Sequence, residues 1–293
     1  MNGNAPVVVG VDGSTSSNDA VWWAAENAGR RGAPLHLIAT RFVAGTHGVP
    51  IGLPPSYFDD QEREGNLRLV RATDLAREAS AGPLTIESEL VSGHPSQVLV
   101  DRARTARMVV IGSRGLGEVV GGLLGSVSSA VAAHARCPVA VVRALTDPEG
   151  SMGGPVVVGV DGTRNSEPAI AEAFTEASLR GAELVAVHAW SDTNISSLLT
   201  ADQGLDWRSI RTKEEAALAE SIAGFSDDFP DVRVRRVVVE DRPAKALADL
   251  SRLSQLVVVG SRGRGGFASM LLGSTSRALL HSVTCPLLIV HTH

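Results

Sequence analysis

Two stretches of the chain space glycine and serine in a way that suits an anion. GSRGLGEVVGGLLGS runs from Gly112 to Ser126, and GSRGRGGFASMLLGS from Gly260 to Ser274. Both read G-x2-G-x9-G-S. Gly112, Gly115, Gly260 and Gly263 lack a Cβ, so a ligand can approach the main chain, and glycine alone adopts positive φ without strain. Gly125 with Ser126, and Gly273 with Ser274, stand where a helix is expected to begin. Unpaired N–H groups and the positive end of the helix dipole attract an anion there. A serine hydroxyl at that point either donates to a phosphate oxygen or caps the helix. Arg114 and Arg262 follow the first glycine and serine of each stretch, and reach a phosphate or lie in solvent. The chemistry expected is phosphate binding. The pattern is not a Walker A loop, because no lysine follows the last glycine, and no GxGxxG follows the first strand.

The elements that must hold these loops alternate in type. PVVVGV, Pro6 to Val11, is a continuous valine-rich run of the kind buried on both faces of a parallel sheet. In the next segment Ala20, Trp23, Ala24 and Ala28 fall on one stripe with Gly32 behind, which predicts a helix. PLHLIATRF is a second strand, a longer helix is expected from near Asp60 to Ala81, and LTIESELV, SQVLVDRARTA and MVVIG follow as strand, helix and strand. The second half repeats this order through LVAVHAW, a helix around Arg208 to Phe225, VRVRRVVV, AKALADLSRL and LVVVG. VVVGVDG at Val7 returns at Val156, an offset of 149, and GSRG at Gly112 returns at Gly260, an offset of 148. One domain is therefore duplicated, over 1–145 and 154–293, joined by ALTDPEGSMGG, Ala144 to Gly154. Strands alternating with helices imply a parallel sheet covered on both faces, with each glycine loop at the carboxyl end of a strand, where open α/β sheets bind ligands.

Composition bounds the alternatives. The 293 residues, 44% hydrophobic and 20% charged, suffice for two globular cores. A net charge of −5 argues against a broad nucleic-acid surface. No apolar run approaches a membrane span, and MNGNAPVVVGVDG lacks the basic and long apolar regions of a signal peptide, so a cytoplasmic location is expected. Cys137 and Cys285, at matching places before the last strand of each half, read as buried apolar residues. The spacing offers no CxxC, HExxH, GxSxG or HxGH. His188 is expected beside the ligand site at a strand end, yet its counterpart is Ala39, which speaks against a catalytic role required in both halves. His94, His134 and His281 are expected at the surface or at caps, and Trp22, Trp23, Trp190 and Trp207 in packing.

VGVDG closing the first strand, the GHP and DRP turns (Gly93 to Pro95, Asp241 to Pro243), the Gly/Ser signature and the terminal CPV or CPL strand together resemble the universal stress protein family, tandem-domain and ATP-binding type. The resemblance implies two Rossmann-like α/β domains of the adenine nucleotide alpha hydrolase kind, each a five-stranded parallel sheet of order 3-2-1-4-5 flanked by helices. It also implies one ATP per domain, with magnesium as a possible companion, and a regulatory or stress-response role. The alternative is a slow ATPase or nucleotidyl-transfer enzyme on the same fold. Carried onto the first half, the site comprises Gly10, Asp12, Thr40, Gly112, Ser113, Arg114, Gly115, Gly125, Ser126, Val127 and Ser128. In the second half it comprises Gly159, Asp161, Ala189, Gly260, Ser261, Arg262, Gly263, Gly273, Ser274, Thr275 and Ser276. Asp12 and Asp161 either contact the nucleoside or a divalent ion, or cap the next helix through Asx chemistry. Thr40 and Ala189 are small, leaving room for a flat base. Arg107 and Gln255 stand where the family often has an acidic residue. Single-domain members pair through the final strand, so an internal pseudo-dimer is expected with Val139 to Val142 near Leu287 to Val290. A linker reaching roughly 35 Å permits this, and a homodimer of whole chains is the further analogy.

Overall fold

The computed structural model describes residues 5–41, 55–115, 124–143, 153–190, 207–264 and 271–292. The chain divides into two compact units, Met1–Leu145 and Thr146–His293. Residues 144–152 of the joining segment and the middles of both glycine stretches (116–123 and 265–270) lie outside the described residues.

In the first unit β1 (Val7–Val11) is followed by α1 (Thr15–Arg31), β2 (Leu35–Arg41), α2 (Pro55–Ala79), β3 (Ile86–Ser92), α3 (Pro95–Arg102), β4 (Met108–Gly112), α4 (Ser126–His134) and β5 (Val139–Val142). The sheet order is β3-β2-β1-β4-β5, and every neighbouring pair is parallel. β4 is buried along its whole length, whereas the edge strand β3 is exposed or half-buried throughout. The valine runs are central because a strand flanked by strands and covered by helices meets no water on either face. α1 begins where Ser14 accepts from the Ser17 N–H at 3.2 Å, and ends at Gly32 in the left-handed conformation, φ 59°. Its buried face carries Ala20, Trp23, Ala24 and Ala28, the stripe read from the sequence. α2 starts at Pro55, several residues before the expected Asp60.

The second unit repeats the plan. β6 (Val156–Gly159), a 3-10 turn (Arg164–Ser166), α5 (Glu167–Arg180), β7 (Leu184–Trp190), α6 (Trp207–Asp228), β8 (Val234–Glu240), α7 (Pro243–Ser251), β9 (Leu256–Gly260), α8 (Ser274–Ser282) and β10 (Leu287–Val290) follow in order. The sheet runs β8-β7-β6-β9-β10, again parallel. Both sheets therefore have the 3-2-1-4-5 order. The core differs in filling: Phe174, fully buried on α5, packs on Phe225 and Phe229 of and beyond α6 with ring centroids 5.9 and 5.6 Å apart. Glu176, with no exposure, pairs with Arg180 at 2.8 Å, and Arg180 reaches Gln255 Oε1 at 3.2 Å. A neutral Gln255 thus extends a charge pair that is already balanced.

In each unit the chain turns one way from the first strand to the second and the other way from the fourth to the fifth. The reversal opens a crevice at the carboxyl ends of β1 and β4, and of β6 and β9.

Candidate functional site

In the first unit that crevice is a cavity of about 320 Å³. Its polar wall is the main chain and short side chains of Gly10, Asp12, Ser17, Gly112, Arg114 and Gly115, closed by Gly125, Ser126, Val127 and Ser128 at the start of α4. Its apolar wall is Val11, Ile38, Thr40, Pro95, Leu99 and Ile111. Of the first-half residues expected from the sequence, Ser113 alone is not among the lining residues. It is buried, and its N–H donates to Val142 O at 2.8 Å while its carbonyl accepts from Gly125 N–H at 2.9 Å. Val11, Ser17, Ile38, Pro95, Leu99 and Ile111 escaped sequence reading. Their one signal was position at strand ends and beside the GHP turn.

The glycines serve close approach rather than unusual backbone angles. None of Gly112, Gly115, Gly260 and Gly263 has positive φ; the left-handed residues here are Gly13 (φ 85°) and Gly162 (φ 73°), directly after the two aspartates. A Cβ on Gly112 would stand 2.7 Å from the carbonyl carbon of Ser16, so the strand end lies against the backbone of α1. On Gly115 it would stand 2.7 Å from Asp12 Oδ2, and on Gly263, 3.1 Å from Asp161 Oδ2. On Gly10 it would meet Leu99 at 2.9 Å, which brings β1 down onto α3.

One oxygen of each aspartate opens the following helix, and the other faces the glycine loop. Asp12 Oδ1 accepts from Ser14 N–H at 2.9 Å, the Asx turn that opens α1, while Oδ2 faces Gly115. Asp161 Oδ1 accepts from Thr163 N–H at 2.8 Å and from the Thr163 and Ser166 hydroxyls at 2.7 Å each. Its Oδ2 is buried, faces Gly263 and has no hydrogen-bond partner.

Each glycine loop is pinned at both ends. Gly125 and Gly273 are the N-caps, in extended conformation, so Ser126 and Ser274 are first helical residues rather than caps. Ser128 donates its hydroxyl to Gly112 O and Ser276 to Gly260 O, both at 2.7 Å, which commits those side chains to the strand ends. Ser261 repeats the pairing of Ser113: its N–H donates to Val290 O at 2.7 Å and it accepts from Gly273 N–H at 2.7 Å. The arginines behave differently in the two units. Burial, and then the like charge of Arg114, lower the pKa of the half-buried Arg143 guanidinium from its ordinary value, so two cations sit at the end of β4 and β5. Arg262 is turned onto the Thr292 carbonyl at 3.1 Å.

His188, at the end of β7, is tied to the turn after β6 and to α6. It is 1% exposed, donates Nδ1–H to Val160 O at 2.7 Å, and sets Nε2 2.7 Å from Glu214 on α6. Strand alternation sends it to the opposite face from its half-buried neighbour Ala189. His94 and His134 are exposed and bonded within their own turn or helix. Cys137 and Cys285 are buried, and burial raises the pKa of both thiols from 9.0 to about 12. Among the described residues no cluster of three or more His, Cys, Asp and Glu side chains is arranged to hold a metal ion, and no helix is long and apolar enough to cross a membrane.

Comparisons agree with this architecture. The profile of the universal stress protein family matches residues 3–143 and again 152–291. A universal stress protein of Mycobacterium tuberculosis is 45% identical over 289 residues, covering 97% of this chain and 96% of its own. The crystal structure of a universal stress protein from Archaeoglobus fulgidus superposes with a TM-score of 0.71 at 19% identity, over 99% of each chain. A structure of a universal stress protein in complex with cAMP is 32% identical, over 48% of this chain and 98% of its own, with a TM-score of 0.38. Two profile matches laid end to end on two units of one topology leave one conclusion: the chain is a tandem-domain member of the universal stress protein family.

Proposed function

We propose that each unit binds one molecule of ATP and that nucleotide occupancy regulates what the protein does in a stress response. The observation that carries this reading is the cavity of the first unit, where an apolar cleft beside a small Thr40 runs into glycine main chain and the N-terminus of α4. The cleft suits a flat base, and the N–H groups of Ser126 and Val127 suit phosphate. In the second unit the equivalent positions are Ala189 for the base and Gly263, Gly273, Ser274, Thr275 and Arg262 for the phosphates.

Magnesium fits this arrangement. It takes one or two carboxylates and fills its remaining positions with phosphate oxygens and water. Asp161 Oδ2, buried without a partner at the loop, is such an oxygen, and Asp12 Oδ2 faces Gly115 at the matching place of the first unit. The ion would neutralise phosphate charge. Asp12 and Asp161 would orient it, the glycines would admit the phosphates, and the apolar wall would exclude water from the base. The regulator reading is favoured over a slow ATPase or nucleotidyl transferase because the motifs supply a phosphate cradle and no evident base to activate water. A cytoplasmic protein that pairs through its final strands and self-associates as a dimer belongs to the same reading, checked by fractionation and light scattering.

Calorimetric titration with ATP and magnesium, with cAMP in parallel, tests the proposal. Two equivalents of ATP per chain are expected, and none would refute it. Gly115→Glu combined with Gly263→Glu should abolish binding while circular dichroism stays that of the parent. Binding that survives in the folded double variant removes the loops from the site. Product release measured in the same samples separates a binder from an ATPase.

A further inference from the structure

Three ionisable side chains of the second unit meet beneath its glycine loop. His188 comes from β7, Glu214 from α6 and Arg264 from the loop after β9. His188 Nε2 lies 2.7 Å from Glu214 Oε2, and Arg264 Nη2 lies 3.5 Å from Nε2 and 3.8 Å from Oε2. The corresponding positions of the first half hold Ala39 for His188 and Leu116 for Arg264, so the grouping belongs to the second half. From these distances we infer that His188 and Glu214 form a proton-controlled catch on Arg264, which sets how much positive charge the second glycine loop offers to a phosphate. The ligand named here rests on the nucleotide reading above.

The partner of Nδ1 fixes one proton of the ring. Val160 O has no proton to give, so Nδ1 carries one and donates it. When Nε2 is protonated, the 2.7 Å contact is a hydrogen bond between imidazolium and carboxylate. In that state Glu214 is satisfied by the ring, and Arg264 faces a cation at 3.5 Å, outside good hydrogen-bond distance. Removal of the Nε2 proton leaves two acceptors, Nε2 and the carboxylate, facing each other with Arg264 the nearest donor. Its guanidinium then closes on both. Deprotonation draws the arginine to the helix side, and protonation frees it.

The loop feels this movement because of what Arg264 is attached to. It follows Gly263, whose Cβ position is 3.1 Å from the unpartnered Asp161 Oδ2, and its guanidinium is 2.8 Å from the Cβ position of Gly162 in the Asp-Gly turn. The charged groups facing His188 are Glu214 from α6 and Arg264 from the loop. In the turn after β6, Asp161 spends Oδ1 on Thr163 and Ser166. From β8 and α5 no charged group is hydrogen-bonded or ion-paired to the ring among the described residues.

Two measurements decide the matter. In the nucleotide-free protein, the Arg264 side-chain N–H resonance, followed by NMR between about pH 5 and about pH 8 where histidine changes charge, should shift with the same midpoint as the His188 ring. His188→Gln should remove that shift. A resonance indifferent to pH overturns the catch. In the second arm ATP is titrated at both ends of that range into the parent, His188→Gln and Arg264→Leu. The second site should tighten about fivefold or more relative to the first at the acid end, within the ordinary range of coupling between sites. Both variants should hold the ratio of the two sites constant. A constant ratio in the parent overturns the proposal. No binding at either site overturns the nucleotide reading, and the resonance arm then judges the catch on its own.

Discussion

Replacing Gly115 by alanine places a methyl carbon 2.7 Å from Asp12 Oδ2, and the same change at Gly263 places one 3.1 Å from Asp161 Oδ2. Ordinary contacts between such atoms begin at 3.4 Å, so the first site must open by 0.7 Å (3.4 − 2.7) and the second by 0.3 Å (3.4 − 3.1). Asp12 retreats by stretching its 2.9 Å bond from Ser14 N–H, and a lost hydrogen bond to a charged group of that kind is worth about 1.5 to 3 kcal/mol. Asp161 is held by three donors and stays, so its loop yields by a few tenths of an ångström. A loop displaced at the first site loses at least one phosphate hydrogen bond as well. At about 1.4 kcal/mol per factor of ten, ATP binding at the first site should weaken about tenfold or more, and at the second by about threefold or less. Calorimetry on the two single variants, with urea unfolding as control, reads both numbers. Equal affinities within twofold for Gly115→Ala and the parent, or a larger effect at Gly263, would refute the reasoning that the carboxylate under the loop is why glycine stands there.

Gly112→Ala should destabilise the first unit by about 1 to 3 kcal/mol, as overpacking does, because the new methyl meets the Ser16 main chain rather than a movable side chain. Gly260→Ala, whose nearest atom is Arg262 O at 3.1 Å, should be milder, and thermal unfolding of the two variants gives the order. Cys137 and Cys285 should resist alkylation in the folded protein near neutral pH. Since both thiols rise from 9.0 to about 12 on folding, the stability they contribute is present below pH 9 and is lost as pH climbs from 9 toward 12. Unfolding free energies that stay flat across that interval, in Cys→Ala controls as in the parent, would contradict their burial as neutral thiols.

What the sequence carried openly was periodicity. The valine runs of β1, β4, β6 and β9 are continuous because they are buried on both faces, and the doubled glycine spacing marks the same strand end twice. The apolar wall of the cavity was hidden because Ile38, Leu99 and Ile111 look like any other core residue until β2, α3 and β4 converge. The reason for glycine at Gly112 and Gly115 was hidden too, since Ser16 and Asp12 approach across a sheet rather than along the chain. His188 was legible only as a strand-end residue; its partner Glu214 was not, because it sits on a helix whose angular position against β7 no pattern of residues encodes.

The hydrogen bonds that join Ser113 to Gly125 and Ser261 to Gly273 make each glycine stretch a closed circuit, with its mouth fastened independently of its contents. Doubling the length of a loop with fixed ends adds only about 0.6 kcal/mol of closure entropy. Changes of length between Gly115 and Gly125 should therefore cost the sheet little stability, and the first unit becomes a frame on which new ligand preferences can be grafted.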